Sequence, residues 1–150
     1  MPSFIAFVHH VAAFALVAAL AVEFMLMRDE LSMKSARRLQ AADAVYGIAA
    51  GVLLAAGFAR VLWFEKGAAY YFASVPFIAK LSLFVLVGLL SIVPTVEFLS
   101  WRAGLKRGEV PVLAEAKKRR LRAIIHAELG CVVLILLCAA LMAKGVGYLG

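Results

Sequence analysis

The sequence predicts an all-α protein, a four-helix transmembrane bundle. Of its 150 residues, 65% are apolar, whereas about 45–50% is usual for a soluble domain. The mean hydropathy is +0.98, and the apolar residues are concentrated in four runs. Each run has the roughly 20 residues that a helix needs to cross the hydrocarbon core of a bilayer. Because lipid offers no hydrogen bonds, each run is expected to satisfy its backbone as a helix.

Residues 1–150 are expected to form a single membrane domain. The predicted spans cover residues 4–27, 41–64, 75–101 and 121–143, and the predicted loops that hold most of the Lys and Arg cover residues 28–40 and 102–120. The residues before the first apolar run carry no Lys or Arg, whereas a secretory signal begins with positive charge. The first span is therefore expected to be a helix of the mature chain. Pro111 suits a first helical turn, so the fourth helix is expected to begin near it.

The distribution of charge predicts how the bundle lies in the membrane. Loops rich in Lys and Arg stay in the cytoplasm, so both termini are expected on the outer, periplasmic side of a bacterial inner (plasma) membrane. The same basic residues would attract anionic lipid at the cytoplasmic face. Since the net charge of +7 is explained by these loops, no nucleic-acid partner is expected.

Two short motifs recur in the same order. Val-Glu-Phe closes the first span at residues 22–24 and the third at residues 96–98, and each copy is followed by an arginine. Arg-Arg-Leu opens the second and fourth spans at residues 37–39 and 119–121. This order indicates a duplicated two-helix unit whose halves lie parallel, related by an axis along the membrane normal. Chance similarity is the alternative, since arginine is common at cytoplasmic helix ends.

Ionisable residues inside the spans are the candidate functional groups. Each costs roughly 2.5–3.5 kcal/mol at the centre of a helix, so such residues face the bundle interior, pair with one another or serve a function. Helical spacing places Asp43 and Arg60 on one face of the second span, and Lys80 and Glu97 on one face of the third. The predicted topology then gives an outer basic cluster of His9, His10, Arg60 and Lys80, and an inner cluster of Glu23, Asp43, Glu97, His126 and Glu128. The alternative is that these groups lie near helix ends and reach the interface.

A histidine beside two cations suggests a haem b site in the outer cluster. His9 or His10 would be the axial metal ligand, and Arg60 and Lys80 would meet the propionates or an anionic substrate. His10 and His126 are expected roughly 17 Å apart along the membrane normal, so they cannot bind one iron together. His126 would instead serve a second, inner site or a proton path. Lys80, Arg60 and Glu97 are the candidate catalytic residues.

Three functions remain open from the residues alone. The first is haem-dependent electron transfer or oxidation of a lipid-soluble partner, such as a quinone or a porphyrin-like substrate. The second is a non-enzymatic structural or assembly subunit whose intramembrane charges pair between helices. The third is a small proton-coupled transporter in which the inner carboxylates pass protons. The stretch from Gly47 to Gly51 presents small residues on one helix face, which permits close approach of another helix and a homodimer.

The chain resembles a bacterial membrane family, domain of unknown function family 2214. The residues that carry the resemblance are His10, Gly57-Phe58-Ala59-Arg60, Phe64-Glu65-Lys66-Gly67, Tyr70-Tyr71, Phe77, Lys80, Ser91 with Pro94-Thr95, and Trp101-Arg102. The resemblance covers essentially the whole chain. It implies four inner-membrane helices and says nothing about activity.

A second resemblance points towards a cofactor. A histidine on the first helix and Lys80-Leu81 opening the third are similar to the HemJ-type protoporphyrinogen oxidases, which are small four-helix proteins that bind haem b. The resemblance implies that His10 is a haem ligand and that Lys80 is an essential residue of the pocket. The first helix ends in Val22-Glu23-Phe24 where that family has a Pro-Arg element, so the resemblance does not extend to the substrate.

Overall fold

The computed structural model describes residues 2–64, 69, 73–145 and 147, apart from the side chains of Pro2, Trp63 and Phe64. Its helices are α1 (Pro2–Leu26), α2 (Met33–Ala59), α3 (Val75–Ser100), α4 (Arg102–Lys106) and α5 (Glu115–Ala143), and a π-helical segment (Arg60–Phe64) continues α2. Helices α1, α2, α3 and α5 are long and apolar enough to cross a membrane. The predicted all-α fold with four membrane-length helices is therefore confirmed.

The bundle consists of two helical hairpins. Helix α1 packs along α2, helix α3 packs along α5, and the two hairpins meet through α1 with α5 and through α2 with α3. Leu20, Leu39 and Ile125 are completely buried between them. The outer surface is also apolar, since Phe14 is 77% exposed and Ile48 is 70% exposed. A surface of this kind is suited to lipid rather than to water.

Hydrogen bonds show which segments meet at each end of the bundle. The Lys118 Nζ donates to the carbonyl of Asp29 at 2.9 Å, so residues 27–32 and 107–114 lie at the same end, here called the basic end. At the opposite end, the Val75 N–H donates to the carbonyl of Gly147 at 3.0 Å. The two basic segments thus share one end, as predicted, while the side of the membrane that this end faces stays a prediction.

Helix α2 begins earlier than the apolar run suggests. Ser32 is its N-cap, and its hydroxyl accepts a hydrogen bond from the Ser35 N–H at 3.1 Å. The Ser35 hydroxyl in turn accepts from the Ser32 N–H at 2.8 Å. This reciprocal cap satisfies two donors that have no partner within the helix. Residues 33–40, predicted as loop, therefore form the first turns of α2 and present Lys34, Arg37 and Arg38 on a helix.

The segment between α3 and α5 also differs from the expectation. The short helix α4 follows α3 directly, residues 109–114 have no regular structure, and α5 begins at Glu115 rather than near Pro111. Within this segment the exposed Arg107 binds Glu109 through Nε at 3.2 Å. That guanidinium holds the pKa of the Glu109 carboxyl below its ordinary value, in the manner of an exposed ion pair.

Two glycines follow α5. Gly145 comes just after the helix with a φ of 74°, and its N–H donates to the Met142 carbonyl at 3.0 Å. Gly147 has a φ of 78°, and a Cβ there would lie 2.7 Å from the Cδ of Pro76. Because positive φ and this close approach both exclude a side chain, only glycine fits at position 147. Gly147 therefore packs against the first turn of α3.

Part of the sequence evidence lies outside the described residues. Glu65, Lys66, Gly67, Tyr70 and Tyr71, which contribute to the family resemblance, belong to the stretches that the structure does not describe.

The packing predicts which apolar substitutions lower stability. Leu20 is completely buried whereas Leu89 is 60% exposed on the outer surface. We expect Leu20→Ala to lower the free energy of unfolding by about 2–5 kcal/mol, because it leaves a cavity between helices. Leu89→Ala is the matched control, and we expect a change below about 1 kcal/mol because lipid fills the space. Unfolding in mixed micelles, followed by circular dichroism, measures both. Equal losses for the two variants would contradict this arrangement of the helices.

Candidate functional site

A small cavity lies between the helices at the end opposite to the basic end. Its volume is about 100 Å³, and it is here called the His9 pocket. Its lining comes from α1, α2, the π-helical segment, α3 and α5: His9, Leu53, Leu54, Gly57, Phe58, Val61, Phe77, Lys80, Leu81, Phe84 and Ile135. Apart from His9 and Lys80, the lining is apolar. The pocket therefore combines two polar groups with aliphatic and aromatic walls, as small-molecule sites do.

His9 enters this pocket from α1. Its imidazole hydrogen-bonds the backbone of Leu53, while its Nδ1 is buried and has no hydrogen-bond partner among the described residues. The ring lies against Gly57, where an added Cβ would be 3.5 Å from the His9 Cε1 and 3.7 Å from the Nδ1. Because Gly57 has no side chain, the His9 ring packs directly against α2. Leaving a buried polar atom without a hydrogen-bond partner is costly, so the few such atoms in a folded protein are candidates for contact with a ligand.

Two cations accompany His9. Lys80 comes from α3, and its Nζ lies 5.6 Å from the centre of the Phe77 ring, a cation–π distance. Arg60 begins the π-helical segment, and π-helical turns often occur at functional sites. Both cations lie within electrostatic range of His9. The predicted outer basic cluster therefore contains His9, Arg60 and Lys80 in proximity.

The other two histidines do not line the pocket. His10 is exposed, and its Nδ1 lies 2.6 Å from the carbonyl of Ala6 on the same helix. Its ring nevertheless lies 6.0 Å from the ring of His9, so it is a neighbour of the outer cluster. His126 is also exposed, and its ring lies 5.7 Å from the ring of Phe24. Of the three histidines, only His9 lines the pocket.

Three carboxyl groups converge nearer the basic end. Glu23 from α1 and Glu128 from α5 are each 1% exposed, and the half-buried Asp43 lies between them on α2. The Glu23 and Asp43 side chains lie next to each other, and the Thr95 hydroxyl donates to the Asp43 Oδ1 at 3.0 Å. These three carboxyl residues are here called the acidic cluster. Among the described residues, the Oε1 atoms of both glutamates have no hydrogen-bond partner.

Tyr46 and Ser91 extend the polar region by one turn. The two side chains lie close to each other across α2 and α3. Tyr46 is buried, and the Ser91 hydroxyl donates to the Gly88 carbonyl at 2.7 Å. Beyond them the core is apolar, with Leu16, Ala49 and Val87 buried at the intermediate depth. His9 and Glu23 are separated by roughly 21 Å along α1, at 1.5 Å per residue. The pocket and the acidic cluster are therefore distinct sites with an apolar layer between them.

Glu97 belongs to neither site. Its Oε2 forms an ion pair with the Lys117 Nζ at 2.9 Å, and its Oε1 accepts a hydrogen bond from the Trp101 Nε1 at 3.1 Å. The pair joins α3 to α5 at the basic end. Glu97 lies at the depth that helical spacing predicted. Its carboxylate contacts Lys117 and Trp101, however, and not the acidic cluster.

Sequence analysis overlooked three hydroxyl residues beside the acidic cluster. Tyr46 follows Asp43 by one turn of α2, and Ser91 and Thr95 are one turn apart on α3. Residues with this spacing lie on one helix face. Helical spacing was used to place charged residues on a common helix face. Applied to hydroxyl residues, the same spacing would have identified these three.

Comparison with known proteins gives one match. The family model described as "Predicted membrane protein (DUF2214)" matches residues 1–147. No curated protein and no solved structure matches the chain. Among the described residues, no group of three or more His, Cys, Asp and Glu side chains is arranged to hold a metal ion. The chain, with its four apolar helices of membrane-spanning length, belongs to this family of membrane proteins.

Proposed function

We propose that the protein is a small proton-coupled membrane transporter whose proton-binding site is the acidic cluster. The observation that carries the proposal is the burial of Glu23 and Glu128, each 1% exposed, on two different helices around Asp43. No described Lys or Arg forms a salt bridge with any of the three carboxyl groups. A packing role alone does not account for three acids that meet without a cation.

Proton binding follows from the physics of this arrangement. Burying a carboxylate costs several kcal/mol unless a cation compensates it, and neighbouring carboxylates repel one another. Glu23 and Asp43 lie next to each other, and two neighbouring carboxyl groups are stabilised when one of them keeps its proton. We therefore infer that the acidic cluster holds a proton at rest. Asp43 is the least buried of the three residues, so protons exchange with water through it.

The two hairpins are the units that would move against each other during transport. In transporters, alternating access arises when one helical unit rocks against another around a site near the middle of the membrane. Here α1 with α2 forms one unit and α3 with α5 forms the other. Glu23 and Asp43 belong to the first unit, whereas Glu128 and Thr95 belong to the second. A change in the protonation of the cluster would therefore alter the contact between the units.

The proposal includes the topology that the loop charges predict. The basic end faces the cytoplasm of a bacterium, where its cations contact anionic lipid, and the His9 pocket lies towards the outer face. A homodimer completes the assembly. Gly47 and Gly51 would accept a second copy on the outer surface of α2, since nothing described lies within 4 Å of a Cβ at either position.

Haem-dependent electron transfer finds less support in the geometry. Only His9 reaches the pocket, and a cavity of about 100 Å³ is well below the roughly 300–1,000 Å³ of sites for drug-sized ligands and cofactors. A haem b does not fit the pocket, and neither does a porphyrin-like substrate. The suggested catalytic roles of Lys80, Arg60 and Glu97 gain no support from the arrangement of these residues.

Infrared spectroscopy tests whether the cluster binds protons. In lipid bilayers at neutral pH, the wild-type protein should show the C=O stretch of protonated carboxylic acids. Glu23→Gln and Glu128→Gln should each weaken this signal, because each removes one member of the cluster. Glu109→Gln is the matched control, since the carboxyl of Glu109 is exposed and paired with Arg107. A wild-type spectrum without protonated acid, measured on protein with full helix content, would overturn the proposal.

Reconstituted vesicles test transport itself. With a pH gradient across proteoliposomes and the membrane potential clamped, we expect the wild-type protein to conduct protons faster than protein-free vesicles. Asp43→Asn and Glu128→Gln should slow this flux by about tenfold or more, which corresponds to a barrier about 1.4 kcal/mol higher. Glu109→Gln should leave it unchanged. Flux equal to that of protein-free vesicles would exclude transport and favour the non-enzymatic, structural role.

A further inference from the structure

We propose that the His9 pocket binds the head group of a long-chain carboxylate that enters from the lipid. This inference concerns a different site from the acidic cluster and does not depend on proton transport. Three properties of the pocket carry it: its charge, the partnerless nitrogen of His9, and its size together with its position on the bundle surface.

The charge of the pocket favours an anion. Lys80 carries its ammonium group in a pocket with apolar walls, and no described carboxylate forms a salt bridge with it. Among the described residues, the ionisable groups near it are Arg60 from the π-helical segment, His9 from α1 and Cys138 from α5, and none of these three is a carboxylate. An ammonium group in apolar surroundings is costly until an anion compensates it. A bound carboxylate would provide that compensation.

His9 supplies a second polar contact. One of its ring nitrogens is occupied by the backbone of Leu53, and the buried Nδ1 is left without a partner in the described part of the chain. A carboxyl group offers two oxygens, which is enough to contact the Lys80 ammonium and the His9 Nδ1 together. His9 lines the pocket, and its ring packs directly against Gly57, where a Cβ would lie 3.7 Å from the Nδ1. The pocket therefore presents two polar groups to one small head group.

The size and position of the His9 pocket favour an amphiphilic ligand. A volume of about 100 Å³ equals roughly three water molecules at about 30 Å³ each, which is enough for a carboxylate and its first methylene groups. The rest of a long chain must lie outside. Leu54 lines the pocket and is 42% exposed on the apolar surface of the bundle, so the pocket opens towards lipid. Leu53, Phe58 and Phe84 provide apolar walls for the methylene groups near the head.

The test compares three ligands with the protein in detergent micelles. Oleate should raise the Tm, because a ligand that binds only the folded state stabilises it. Oleyl alcohol has a similar chain without the anion, and acetate has the anion without the chain, so we expect neither to raise the Tm. A shift of the same size with oleyl alcohol would show a general apolar groove, and the same shift with acetate would show a small-anion site. Either result overturns the proposal.

Two substitutions locate the binding site. Lys80→Met should weaken the binding of radiolabelled oleate by about tenfold or more, because it removes the charged hydrogen-bond donor. Gly57→Ala places a methyl group 3.7 Å from the His9 Nδ1 and should weaken binding without disturbing the helix. Gly88→Ala, in the membrane-length helix α3, is the matched control, since nothing described lies within 4 Å of its Cβ position. If Lys80→Met does not fold, the comparison of Gly57→Ala with Gly88→Ala decides the question.

Oleate binding by a variant of the acidic cluster distinguishes this proposal from the proposed transport function. Glu128→Gln should bind oleate as the wild-type protein does, because Glu128 lies outside the pocket. Oleate affinity that is equal in the wild-type protein, Lys80→Met and Gly57→Ala would exclude the His9 pocket as the binding site. Loss of proton flux in Glu128→Gln with oleate binding retained would support both proposals as independent properties of the protein.

Discussion

The absence of water in the bilayer core is the constraint on which this structure depends. Each backbone group must find its partner inside a helix, and each buried polar side chain must find one inside the bundle. The outward residues are accordingly apolar, with Phe14 77% exposed and Ile48 70% exposed. The few polar groups that remain inside collect in the acidic cluster and the His9 pocket. Their positions therefore identify where function is to be sought.

The two sites carry opposite charges and are kept apart. If Lys80 met Glu23 or Glu128, the pair would neutralise itself, and neither group would be available to a proton or a ligand. Leu16, Ala49 and Val87 form the apolar layer that prevents this. This separation favours functional roles for the charges over simple pairing between helices.

Sequence patterns predicted the helices, the common end of the two basic segments, and the depth and sign of the two clusters. They did not predict which histidine faces inward, because His9 and His10 differ by only about 100° of helical rotation. They also grouped Glu97 with the acidic cluster, which it matches in depth. Its separate position depends on Trp101 and Lys117, whose contacts arise only when α3, α4 and α5 are assembled. The depth of a residue in the membrane follows from its position along one helix, whereas its contact partners depend on how all the helices pack.

Hydrogen bonds between the two hairpins bear on the proposed transport. In the described part of the chain, Gln40 bonds the Phe98 carbonyl, Lys118 bonds the Asp29 carbonyl, and Thr95 bonds Asp43. All three bonds lie on the side of the basic end. Because the Thr95 bond ends on Asp43, a proton gained or lost by the acidic cluster would change a contact that holds the hairpins together.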